Sequence, residues 1–89
     1  MPMNISVNTR PYFLWDYDLT DGDVRKILHG ENEAEKIWMM SRILTSAQFE
    51  DVWRYLRLSD VVREFPRLKM RREMKEAWQF ALTAWGYHV

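Results

Sequence analysis

Apolar side chains recur every three or four residues over most of the chain, a spacing that is typical of amphipathic helices. Five such stretches follow one another between residues 20 and 85, joined by short polar segments. The pattern therefore predicts an all-α fold, a compact bundle of about five short helices. The third stripe consists of Phe49, Val52, Trp53 and Leu56. The last and clearest stripe consists of Met74, Ala77, Trp78, Ala81, Leu82 and Trp85.

Capping residues place the boundaries of these helices. The predicted N-caps of the first four are Thr20, Asn32, Ser46 and Ser59, whose side chains can accept hydrogen bonds from first-turn amides. Gly30 is expected to end the first helix as a C′ residue, and Gly86 to end the last. Pro66 stops the short fourth helix because it cannot continue the hydrogen-bonding pattern. The fifth helix is predicted over residues 71–85.

The residues before the first helix lack helical spacing. We predict an irregular lead-in over residues 1–11 and a single helical domain over residues 12–89. Residues 12–18 are rich in aromatic side chains, and no second strand candidate follows with which they might pair. We therefore expect an extended aromatic N-terminal arm that lays Phe13 and Trp15 onto the helices, with a partial helix over residues 11–14 as a compatible variant.

Composition narrows the class of protein. The chain has 89 residues, 47% of them apolar, which is enough for one domain with its own core. It has no cysteine, which fits a reducing compartment, and its first residues show neither a basic region nor an apolar core typical of a secretory signal. Its apolar runs are far shorter than the roughly 20 residues of a membrane span. We expect a cytoplasmic protein with no membrane association.

Catalytic and metal-binding patterns are lacking in the sequence. Asp16, Asp18 and Asp21 do not match a calcium loop, because Gly22 falls one place late and Ile27 stands where the bidentate glutamate is needed. The only histidines, His29 and His88, share no ligand spacing with a carboxylate. Three glycines cannot build a phosphate-binding loop. We expect no cofactor, no metal and no enzymatic activity.

Charge is balanced overall but unevenly distributed. Thirteen basic residues offset thirteen acidic ones. Nine acidic and four basic residues lie between Asp16 and Asp51, whereas eight basic and three acidic residues lie between Arg54 and Lys75. Such a distribution can steer a charged partner. The basic strip, with two aromatic residues of the arm as anchors, gives the predicted partner-binding residues: Arg63, Arg67, Lys69, Arg71, Arg72, Lys75, Tyr12 and Tyr17.

A set of short motifs resembles one known family. They are Trp15-Asp16-x-Asp18 after an aromatic pair, Arg42-Ile43-Leu44, Asp51-Val52-Trp53, Val61-Val62 before Arg67-x-Lys69, and Trp78. Over roughly residues 12–85 the chain resembles a family of small uncharacterised prokaryotic proteins that are often encoded beside Abi-type nucleotidyltransferase toxins. The chain departs from that family at residues 65–67, where relatives tend to have a Ser-Arg pair. The resemblance implies a toxin–antitoxin setting and assigns no catalytic residue.

Three functions remain open at this point. The first is a non-enzymatic protein-interaction module, in the form of an antitoxin-like partner of a nucleotidyltransferase-type toxin. The second is a DNA-binding transcriptional regulator that uses the basic strip 63–75, although the predicted fourth helix is short for a reader of base edges. The third is a homo-oligomer held together by the oppositely charged halves of the chain.

Overall fold

Five α-helices make up most of the chain, as the apolar spacing predicts. The computed structural model describes residues 9–89, so residues 1–8 of the predicted lead-in lie outside the described residues. The helices are α1 (Asp21–His29), α2 (Glu33–Ser46), α3 (Phe49–Tyr55), α4 (Leu58–Glu64) and α5 (Arg72–Ala84). Two 3₁₀ turns accompany them, at Tyr12–Leu14 and at Phe65–Arg67. No strand occurs among the described residues, and the predicted all-α bundle is confirmed.

Three of the predicted helix ends are confirmed in atomic detail. Thr20 and Asp23 form a reciprocal capping box at the start of α1. The side chain of Asn32 accepts the amide of the third residue of α2 at 3.0 Å. Gly86 has a positive φ of 96°, and its own amide and that of Tyr87 donate to the carbonyls of Thr83 and Leu82, which closes the end of α5 in a Schellman arrangement.

The predicted caps Ser46 and Ser59 are wrong. Helix α2 continues through Ser46, and α3 begins after Gln48, whose own side chain forms no cap. The hydroxyl of Tyr12 instead accepts a hydrogen bond from the amide of Gln48 at 2.7 Å. A residue distant in the sequence therefore satisfies an amide at the N-terminus of α3. Helix α4 begins two residues earlier than predicted, at Leu58, which packs against the core.

The core is centred on α2. Met39 and Ile43 of α2 are fully buried, and each surrounding helix adds buried side chains to them. These are Val24 of α1, Val52 of α3, Val61 of α4, and Trp78 and Leu82 of α5. The indole of Trp78 donates a hydrogen bond to the carbonyl of Leu44 at 2.9 Å, which fixes α5 to the end of α2. Within residues 9–89, every helix is too short or too polar to span a bilayer.

The aromatic arm packs more closely against the helices than an extended segment would. Its 3₁₀ turn buries Phe13 and Leu14, and Arg42 of α2 donates to the carbonyl of Phe13 at 3.1 Å. Arg42 also pairs with Asp16 just beyond the turn. The predicted inward position of Trp15 is wrong, because the turn directs its side chain to solvent, where 78% of it is exposed. The arm thus contributes one aromatic residue to the core and leaves another on the surface.

Candidate functional site

The basic strip predicted over residues 63–75 divides into paired and unpaired cations. Arg63 pairs with Asp60 at 2.8 Å and with Glu64 at 3.3 Å. Arg67 pairs with Glu64 at 3.0 Å and with Glu33 of α2 at 3.5 Å. These two arginines are therefore neutralised by carboxylates of the chain itself, which weakens their predicted role in binding a partner.

Lys75 has a structural role. Its ammonium group donates to the carbonyls of Phe65 and Leu68 at 2.7 Å each, and it lies 4.5 Å from the centre of the Phe65 ring. Partial burial lowers the pKa of this lysine. The side chain satisfies carbonyls at the end of the second 3₁₀ turn. It is not available to a partner in this arrangement, contrary to the prediction.

Three cations of the strip remain unpaired. Lys69, Arg71 and Arg72 are exposed, and no carboxylate of the described residues lies within ion-pair distance of them. Arg71 and Arg72 stand at the N-terminus of α5, where the helix dipole disfavours positive charge by roughly 0.3–1 kcal/mol per residue. Their placement gives no stability to the fold and leaves both guanidinium groups exposed to solvent.

Two of these unpaired cations border a groove along α2. The α2 groove consists of two adjoining hollows between α2 and the connection 66–71, with volumes of about 650 and 350 Å³. Trp38, Ser41 and Lys69 line both hollows, so the two meet there. The other lining residues of the larger hollow are Ala34, Ile37, Pro66, Arg67 and Leu68. Those of the smaller are Arg42, Thr45, Ser46, Met70 and Arg71.

A short hydrogen-bond chain holds the connection against α2. The amide of Lys69 donates to the hydroxyl of Ser41 at 2.9 Å, and this hydroxyl donates to the carbonyl of Ile37 at 2.8 Å. The flanking residue Leu68 is buried in the core. With the backbone fixed in this way, the side chains of Lys69 and Arg71 extend to solvent at the rim of the groove.

Trp38 forms part of one wall of the α2 groove, and Tyr17 packs against it from outside the groove lining. The rings of Tyr17 and Trp38 meet edge to face with their centres 5.0 Å apart, and 37% of Trp38 is exposed. The guanidinium of Arg42 lies 5.6 Å from the Tyr17 ring centre. The predicted anchor Tyr17 is thus brought to the same surface as Lys69 and Arg71, 52 or more residues later in the chain.

Trp38 and Ser41, which line both hollows, are among the groove residues that the sequence analysis missed. Trp38 lies on one face of α2 with Ala34, Ser41 and Thr45. A tryptophan among small and polar residues spaced by three and four positions was the available signal. Such a pattern is typical of a helix face that lies at the surface and not in the core.

Tyr12, the other predicted anchor, is used within the chain. Its hydroxyl donates to the carboxylate of Asp51 at 2.6 Å and accepts the amide of Gln48. Burial, and then the hydrogen bond to Asp51, raise the pKa of Tyr12. Half of its surface is exposed, but its polar group is already satisfied and fixes the arm to α3.

A separate hollow outside the α2 groove, of about 260 Å³, lies beside Tyr12 between the arm, α1 and α3. Its charged groups are paired with each other or with neighbours: Asp21 with Arg25, Asp51 with Arg54, and Arg10 with Asp18. No cluster of three or more histidines, aspartates or glutamates arranged to hold a metal ion occurs in residues 9–89. In the α2 groove, by contrast, the unpaired cations Lys69 and Arg71 lie beside the exposed ring of Trp38.

Comparison with known proteins adds no relative. No family model matches the chain, and neither a curated protein nor a solved structure is similar to it. The resemblance to neighbours of nucleotidyltransferase toxins therefore stays a prediction.

Proposed function

We propose that this protein is a non-enzymatic interaction module whose α2 groove receives an acidic segment of a partner protein. The observation that carries the proposal is the position of two unpaired cations, Lys69 and Arg71, beside the exposed ring of Trp38. The cations attract carboxylates and set the register of the segment. Tryptophan and arginine are also the residue types that most often dominate the energy of protein interfaces.

The lining of the groove favours a protein segment over nucleic acid. Ala34, Ile37, Pro66 and Leu68 give the larger hollow a mainly apolar wall that suits aliphatic side chains. Nucleic-acid binding domains generally carry a clear excess of positive charge, whereas this chain is neutral overall. Helix α4 has only seven residues, and its Arg63 is paired within the chain, so it is a poor reader of bases.

The partner to test first is a nucleotidyltransferase-type toxin. The resemblance in the sequence supports this choice, and so does the chemistry of such enzymes. They hold catalytic metal ions with carboxylates, so an antitoxin-like partner with a cationic rim is electrostatically suited to cover that site. In this narrower form, Lys69 and Arg71 contact acidic residues at the mouth of the catalytic cleft.

The proposal predicts that reversing the groove charges abolishes binding of an acidic peptide. The probe is a fluorescently labelled, glutamate-rich peptide with one central leucine, titrated at low salt and followed by anisotropy. We expect the Lys69→Glu/Arg71→Glu variant to bind at least about 30-fold more weakly, since two attractive contacts become repulsive. Arg57→Glu and Lys26→Glu, combined, are the matched control, because both side chains are exposed and lie outside the groove lining.

The competing outcomes are distinct. Equal loss of binding in the control variant, or no binding by the unmodified protein, contradicts the proposal. Tighter binding of a short DNA duplex also contradicts it and favours the DNA-binding alternative. Copurification with a nucleotidyltransferase-type toxin tests only the antitoxin form, and its failure alongside groove-dependent peptide binding overturns that form alone.

A further inference from the structure

We infer that a second copy of this chain covers the exposed aromatic face of α5, which forms a weak two-fold symmetric dimer. The aromatic face consists of Phe49, Ala77, Phe80, Ala84 and Trp85, all of which are exposed. None of these residues lines the α2 groove. The inference is therefore independent of the proposed function.

Helix α5 has more apolar surface than the core of the chain covers. At 3.6 residues per turn, its apolar positions span about 200° of the circumference, from Phe80 round to Leu82. Trp78 and Leu82 on one side of this arc are buried. On the other side Phe80 is 77% exposed, and Trp85, next to Trp78 at the C-terminal end of the helix, is 44% exposed. An amphipathic helix normally buries its apolar arc, so the uncovered half requires a further surface.

The aromatic face contains both a protruding side chain and a hollow that fits it. The hollow is lined by Phe49, Ala77, Trp78 and Ala81 and has a volume of about 170 Å³. A dry apolar cavity of about 150 Å³ is known to hold a benzene ring, so this hollow is large enough for a phenyl group. Phe80 lies between Trp78 and Ala81 along the same helix, and 77% of it is exposed. A surface that carries both elements is self-complementary, which a two-fold interface requires.

The position of the alanines specifies how the two copies meet. Ala77 and Ala84 lie between Phe80 on one flank of the face and the hollow on the other. A two-fold axis parallel to α5 therefore brings each Phe80 level with the hollow of the other copy. Because alanine side chains are short, the two helices can approach closely along this line.

The exposed area indicates how strong the dimer is. Taking about 200 Å² for a whole aromatic side chain, the exposed parts of Phe49, Phe80 and Trp85 offer roughly 350 Å² per copy. Standard stable interfaces bury about 800 Å² per partner, so this contact belongs to the weak class. We expect a dissociation constant on the order of 100 μM. The contact should not weaken as salt rises, because apolar side chains form it and the exposed Glu73 beside it carries the same charge on both copies.

Sedimentation equilibrium of the full chain across a concentration series tests the dimer. We expect Phe80→Glu to weaken dimerisation at least about 100-fold, since the substitution acts twice in a symmetric interface. Thr83→Glu is the matched control, because it adds the same charge three residues away, at an exposed position on the polar side of α5. Circular dichroism of both variants checks that they fold, as expected for substitutions at exposed positions.

Each alternative result overturns the inference. A chain that remains monomeric up to millimolar concentration has no such contact. Dimers that persist in Phe80→Glu use another surface. A dimer that dissociates as salt rises is held by the oppositely charged halves of the chain and not by the aromatic face.

Discussion

Replacing Trp78 with alanine is expected to lower the free energy of unfolding by about 3–5 kcal/mol. The indole is buried, stacks on Phe49 with ring centres 6.0 Å apart, and contacts Trp53 edge to face at the same distance. Its loss also leaves the carbonyl of Leu44 without its hydrogen bond from α5. Urea unfolding followed by far-ultraviolet circular dichroism measures the change.

Trp15→Ala is the matched control for this prediction. It removes the same side chain from a position where 78% of it faces solvent. We expect its unfolding free energy to stay within about 0.5 kcal/mol of that of the unmodified protein. Similar losses in both variants would mean that α5 is not fixed to the bundle through Trp78.

Replacing Asp21 with alanine is expected to lower the free energy of unfolding by about 2–4 kcal/mol. The buried carboxylate accepts hydrogen bonds from the hydroxyl of Tyr55 at 2.5 Å and from Arg25 at 3.0 Å. It therefore joins α1 to α3, and its removal leaves two polar groups without their partner. The same denaturant unfolding experiment measures the loss.

Asp18→Ala and the titration of Tyr55 provide the controls. Asp18 has a 92% exposed side chain, and its loss is expected to change stability by less than about 0.5 kcal/mol. Burial, followed by the hydrogen bond from Tyr55 to Asp21, raises the pKa of Tyr55. An ultraviolet absorbance titration of Asp21→Ala should show that pKa shifted downward. An unchanged titration, or equal destabilisation by both variants, would refute the assigned bond.

The fold is largely predictable because most of its determinants are local. Thr20, Asn32 and Gly86 act through residues within a few positions, and apolar spacing alone locates all five helices. The predictions were wrong at positions where residues distant in the sequence determine the local structure. Tyr12 caps α3 from 36 residues away, which made Ser46 unnecessary as a cap. The position of Trp15 was wrong because a 3₁₀ turn replaced the extended arm.

The candidate site was less predictable because charge pairing depends on tertiary contacts. Composition identified a basic strip, but the sequence gives no reason for Arg67 to meet Glu33 on α2. Nor does it indicate that Lys75 turns inward to two carbonyls. The unpaired Lys69 and Arg71 become visible as a pair only after these contacts are known.

The most direct test of the α2 groove is a nuclear magnetic resonance titration of the isotope-labelled chain with the glutamate-rich peptide. We predict concentration-dependent shifts of the Trp38 indole N–H and of the backbone amides of Ser41, Lys69 and Met70. The amides of Phe80 and Trp85 on the aromatic face should stay unchanged. Shifts confined to the aromatic face, or none in the groove at saturating peptide, would contradict the proposed binding site.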